Sequence, residues 1–179
     1  MYQRRDKESN RDTITYEIDM FDFCARRLCE LSDSRADGAD QDVYLEAFLV
    51  HCRNLSRFFS GNGPKRETDL TCKEPEKWAD RVFDGARLRG LVEKAGLFDE
   101  AHHANISQYV QHCTTMRHER RMEWDVHRMY REMDAPITEF ESMFPRTPND
   151  PVRERFVPKS ESSGVRTTAA PQEVKLIRV

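Results

Sequence analysis

A chain of 179 residues is long enough for one domain with a real core and short for two. Charged residues make up 34% of it and hydrophobic ones 37%, with only 7 glycines, which argues against a turn-rich β-sandwich and for a soluble, helix-rich protein. A formal net charge of -3 gives no global electrostatic case for binding nucleic acid or a membrane, and no apolar run reaches the roughly 18 residues of a membrane-spanning helix.

The stretch Met1–Asp12 is polar, carries both charge signs and does not read as a secretory signal. Residues 1–11 are expected to form a disordered arm. From there the period is helical. Ile14, Ile18, Phe21, Ala25, Leu28 and Leu31 recur at the 3–4 spacing of an amphipathic helix, with Asp12 or Thr13 as its cap. After a polar connection at 32–40, a second stripe follows through Leu45, Phe48, Leu49, Cys52, Leu55 and Phe59. The breaker Gly61-Asn62-Gly63-Pro64 ends it.

Lys65–Glu74 reads as a long irregular linker, either functional or mobile. Pro75 is placed to open the next helix, with Trp78 and Val82 inward. Gly85 and Gly90 predict two short pieces there, and Gly96 a stop. A further helix carries Ile106, Tyr109, Val110, Cys113 and Met116. The last runs from Val126 through Met129, Tyr130, Met133, Ile137 and Phe140 to Phe144, kinked or divided by Pro136. From Pro145 onward, prolines, Ser and Thr replace any helical period, and Lys+Arg outnumber Asp+Glu, so 145–179 is expected to be a disordered basic tail. Val174–Val179 alternates enough for a short strand or docking peptide, but a frayed terminus is the preferred reading. The predicted fold is an all-α bundle of four to five amphipathic helices over 12–144.

Five cysteines, Cys24, Cys29, Cys52, Cys72 and Cys113, form an odd set without a C-x-x-C pair. Reduced thiols in a cytoplasmic protein are the plain expectation, with no metal site and no cofactor. There is no glycine-rich phosphate loop, no G-x-S-x-G and no H-E-x-x-H.

Two constellations remain. His51-Cys52 and His112-Cys113 each put Cys in the apolar stripe and His at its edge. His51 and Asn54, three apart, are able to face one point, and Arg117 lies close to the core stripe, where a charge requires a partner. Asp19, Asp22, Glu46 and Glu139 are its candidates. His51, Asn54, His112 and Arg117 thus form either a polar site or, the preferred reading, a hydrogen-bonded cluster that fixes helix register. Arg120, Trp124, His127 and Arg131 form one exposed stripe if that stretch is helical throughout, a pattern able to grip phosphate and stack a base. The stripe fails if Asp125 is an N-cap, and acidic neighbours make an ordinary solvated face the preferred account.

Tyr44–Phe59, Ile106–Arg117 and Trp124-Asp125 resemble segments of a group of uncharacterised bacterial all-helical proteins, in outline over 12–144. The helical layout of that group looks like the HEPN domain. The resemblance implies an all-α, usually dimeric fold and, in many members, a metal-independent ribonuclease whose Arg stabilises phosphate and whose His assists attack by the 2′-OH. Arg121, with Arg120 beside it, and His127 have the required separation, although Met122 stands where that motif carries Asn, Asp or His. Arg53-Asn54 begins the motif, but no His follows in range. Two functions are expected from this. The first is a HEPN-like helical module acting through a protein partner or homodimer; the alternative is a HEPN-type ribonuclease of a toxin or phage-defence system, with RNA as its partner and His127, Arg121 and Arg120 as its catalytic residues.

Overall fold

The computed structural model describes residues 7–33, 38–61, 69–74, 78, 83–95, 100–111, 123–146, 155–157 and 177–178. These form five helices, α1 (Lys7–Asp33), α2 (Gly38–Ser60), α3 (Gly85–Ala95), α4 (Glu100–Gln111) and α5 (Val126–Met143), with two-residue strands β1 (Glu123–Trp124) and β2 (Ile177–Arg178). The protein is an all-α bundle.

Helices α1 and α2 form an antiparallel hairpin, because the apolar stripes of both are matched in length and face each other. Phe21 stacks on Phe48 at 4.8 Å, while Gln41 Nε2 near the start of α2 donates to the Leu31 carbonyl near the end of α1. Helix α1 begins at Lys7, five residues before the expected cap. No Gly or Pro interrupts 7–13, and Asn10 is already buried, so the helix extends through part of the expected arm. Residues 1–6 lie outside the described ones.

Helix α2 stops where the breaker predicts. Gly61 adopts φ +64°, a left-handed conformation that costs glycine little, and its N–H donates to the Arg57 carbonyl at 3.0 Å. In the expected linker, Asp69–Glu74 is irregular but packed: Cys72 is buried, its N–H donates to the Phe58 carbonyl and its thiol to that of Phe59.

Most of the helix expected from Pro75 lies outside the described residues, at 75–77 and 79–82; the helix described next begins at Gly85 and is one piece through Gly90. Its N-cap is Asp84, whose Oδ1 accepts from Arg87 N–H at 3.0 Å. Gly85 is required there for space: a Cβ would lie 1.8 Å from the Cys72 carbonyl oxygen. Trp78 does face inward, stacked on Phe83 at 4.8 Å and edge-on to Phe140 at 5.9 Å, which seals the end of the core where α2 and α5 finish.

Helix α5 crosses both members of the hairpin, and α3 packs on α2 and α5. Pro136 sits inside α5 without dividing it, buried on the inner face. Asp125 caps α5, its Oδ1 accepting from Arg128 N–H at 2.8 Å. That cap breaks the stripe drawn through Arg120, Trp124, His127 and Arg131. Trp124 lies in β1, buried, with Tyr109 edge-on at 5.9 Å. Arg128 and Glu132 make an i,i+4 ion pair on the solvated side.

Two parts of the expected tail return to the body. Phe156 is buried in the main core cluster, and β2 pairs antiparallel with β1, Glu123 opposite Arg178 and Trp124 opposite Ile177. The strand falls within Val174–Val179, where alternation allowed a short strand although a frayed terminus was preferred; a single aromatic anchor such as Phe156 leaves no periodic trace. No described helix is long and apolar enough to cross a membrane.

Candidate functional site

The inner face of α1 carries polar side chains where an amphipathic helix carries apolar ones. Asp22 falls between Ile18, Phe21 and Ala25 on the buried stripe, and Asp19 and Cys29 flank it. Each meets a group on or just beyond α5, so the α1–α5 seam is bridged by three polar rungs. Arg146 binds Asp19 at 2.6 Å and Glu141 at 3.2 Å. The Tyr130 hydroxyl donates to Asp22 Oδ1. Cys29 Sγ lies 3.6 Å from His127 Nε2.

Residues 155–157 lie over this seam. Arg155 pairs with Asp134 at 3.0 Å and donates to Thr138 Oγ1 at 3.2 Å, which fixes the segment to α5. The Phe156 ring then stands edge-on to Tyr130 at 4.8 Å and tilted over His127 at 5.4 Å. Burial raises the Asp22 pKa above the ordinary carboxylate value, although Tyr130, Arg155 and the Phe156 backbone pull it back. Burial, reinforced by Asp22, pushes the Tyr130 phenol up. The carboxyl–phenol rung is therefore a poor place for two negative charges, and it is stable with the phenol proton held between the two oxygens.

The predicted polar cluster is assembled in part. His51 Nδ1 lies 2.8 Å from Glu17 Oε2, and Asn54 Nδ2 donates to the same oxygen at 3.2 Å. A carboxylate only accepts, so Nδ1 carries the proton. Tyr16 sits edge-on to His51 at 6.0 Å. Sequence spacing brought His51 and Asn54 to one point, but not their partner, because Glu17 reaches them across the hairpin. His112 and Arg117 lie outside the described residues. Three candidate partners for Arg117 have other partners: Asp19 binds Arg146, Asp22 binds Tyr130 and Glu139 binds Arg87.

Of the expected catalytic residues, His127 is half-buried between Cys29 and Phe156. Arg120 and Arg121 lie outside the described residues. The residues that sequence reasoning missed are Glu17, Cys29, Tyr130 and Phe156. Only Asp22 left a signal, as a charge at a core position of α1.

Among the described residues no group of His, Cys, Asp and Glu is arranged to hold a metal ion. Burial raises the thiols of Cys24, to about 11, and of Cys52 and Cys72.

A second feature lies on the outward side of the hairpin. Tyr16, Met20 and Phe23 form a stripe along α1, beside Tyr44, Ala47 and His51 on α2. Phe23 and Tyr44 are edge-on at 5.9 Å, and the Arg27 guanidinium lies 5.5 Å over the Tyr44 ring. Tyr16 is 53% exposed, while Met20, Phe23, Tyr44 and Ala47 are only partly covered.

Comparison with protein-family models, curated proteins and solved structures gives no match.

Proposed function

We propose that the chain is a helical binding module, HEPN-like in outline, that acts by pairing with a second copy of itself. The observation that carries this reading is the apolar strip across α1 and α2. Residues at 12, 16, 20, 23 and 27 follow one helical stripe, apolar in the middle, with exposed Asp12 at one end and Arg27 at the other. A two-fold axis through the centre of the strip brings the apolar middles of two copies together and each Asp12 end near an Arg27 end, where Arg27 is already paired with Glu30 at 2.5 Å, so the match rests on apolar surface.

The ribonuclease alternative has less support. His127 Nε2 is within reach of the Cys29 thiol and its ring is covered in part by Phe156.

Sedimentation velocity on the full chain tests the proposal. The expected result is a dimer of the 21.1 kDa chain that becomes monomeric in the Tyr16→Arg/Met20→Arg variant with helicity unchanged. A wild type that is monomeric up to its solubility limit overturns self-association, and a variant that stays dimeric overturns the assigned surface. Total RNA incubated with wild type in EDTA is expected to stay intact. Cleavage that is lost in His127→Ala would replace this reading with the ribonuclease.

A further inference from the structure

The Cys29–His127 rung belongs to neither the apolar strip nor the register-fixing cluster at Glu17. We propose that Cys29 is a nucleophilic thiol activated by His127, a modification site for soft carbon electrophiles. Three observations converge on it. The Sγ–Nε2 separation of 3.6 Å is within hydrogen-bonding range for sulfur, so the imidazole is placed to take the thiol proton. His127 is the second residue of α5, an 18-residue helix, and the N-terminal end of a helix dipole favours a negative sulfur nearby. Cys29 is half-buried, whereas Cys24, Cys52 and Cys72 are buried with their thiols pushed up by desolvation.

The same dipole opposes a positive imidazole, and Asp125 at the cap of α5 offsets that opposition. The elements around the pair carry charges of both signs: Asp22, Arg26, Arg27 and Glu30 on α1, Arg128, Arg131, Glu132 and Asp134 on α5, and Arg155 on the segment that carries Phe156. Arg27 is paired with Glu30, Arg128 with Glu132 and Arg155 with Asp134, so the case for the thiolate rests on the imidazole and the helix end.

The reaction is a displacement. The sulfur electron pair forms a bond to the electrophilic carbon, the bond from that carbon to its leaving group breaks, and the thiol proton remains on His127 Nε2. With iodoacetamide as the probe, the products are S-carbamidomethyl Cys29, iodide and protonated His127.

The test is alkylation of the folded full chain with limiting iodoacetamide, read residue by residue by peptide mass spectrometry across a pH series. Cys29 is expected to react on the order of 100-fold faster at pH 7 than Cys24, Cys52 or Cys72, with a rate already level near neutral pH. His127→Gln is expected to slow Cys29 about tenfold at pH 7 and to move the rise of its rate into the range of an ordinary thiol. The pH profile of the wild type stands by itself if that variant fails to fold. A wild-type Cys29 rate that climbs only through the ordinary thiol range overturns the proposal, as does a rate indifferent to His127→Gln in a folded variant.

Discussion

The two sides of α1 each depart from a simple amphipathic helix. The buried side, apolar through Ile18, Phe21, Ala25 and Leu28, also holds Asp19, Asp22 and Cys29 toward α5, and the outer edge holds exposed Tyr16 with Met20 and Phe23, which are partly covered against the core. Burying a carboxyl is costly without partners, and leaving aromatic surface in water forgoes its burial energy. Both departures sit on one helix, which also supplies much of the buried core. The inward face is tied to α5 and to Arg146 just beyond it through named polar pairs. The outward face is only partly covered by the described residues.

The comparison predicts which substitutions on α1 damage the fold. Phe21 is the apolar centre of the inward face, stacked on Phe48 at 4.8 Å and on Tyr130 at 5.2 Å. Phe21→Ala removes both stacks and leaves a cavity where three helices meet, so urea denaturation is expected to show a loss of about 3–5 kcal/mol. Next in size is Arg146→Ala. It leaves Asp19, almost fully buried, without its 2.6 Å partner, and about 1–3 kcal/mol is expected, discounted from a fully buried pair because Arg146 remains partly in water.

A subtler effect is expected from Asp22, and its sign separates the two ways a buried acid is able to act. Its folded pKa is raised, so the native state binds the proton more tightly than the unfolded chain does. The contribution of this group to stability is therefore greatest below the unfolded carboxylate pKa, and it is lost as pH rises through the folded value. Asp22→Asn keeps an oxygen to accept from Tyr130 and cannot ionise. Denaturation midpoints across acidic pH are expected to lose that downward component in the variant. If wild type instead gains stability relative to Asp22→Asn as pH rises through the acidic range, the folded pKa of Asp22 is lowered, and the Tyr130 rung is a charge-assisted bond.

The α1–α2 hairpin was legible in the sequence because its period is long and uninterrupted, and because Gly61 supplies the one left-handed residue its end requires. The start of α3 was not. Asp84 is its cap, directly after Phe83, which stacks on Trp78, and neither the cap nor the stack leaves a helical period to read. At the site the limit is different in kind. His51 and Asn54 were found together because three residues on one helix always share a face. Glu17, 34 residues from His51, and Cys29, 98 residues from His127, became neighbours only through helix packing, which no local spacing encodes. Phe156 was hidden by its proline- and serine-rich surroundings.

The smallest expected change in stability belongs to the outward face, and its smallness makes it informative. Tyr16 is half in water, so Tyr16→Ser removes little buried area within a single copy, and unfolding is expected to shift by no more than about 0.5 kcal/mol at concentrations where the chain is monomeric. If the strip joins two copies, the same substitution costs association instead. Unfolding of a dimer is concentration-dependent by mass action, so the wild-type melting temperature is expected to climb with protein concentration and that of Tyr16→Ser to climb less. A wild-type melting temperature that does not vary with concentration means the outward face of α1 is covered by no second copy. A large loss in dilute Tyr16→Ser means instead that Tyr16, through its edge contact with His51, belongs to the hairpin's own core, and the contrast between the two faces of α1 disappears.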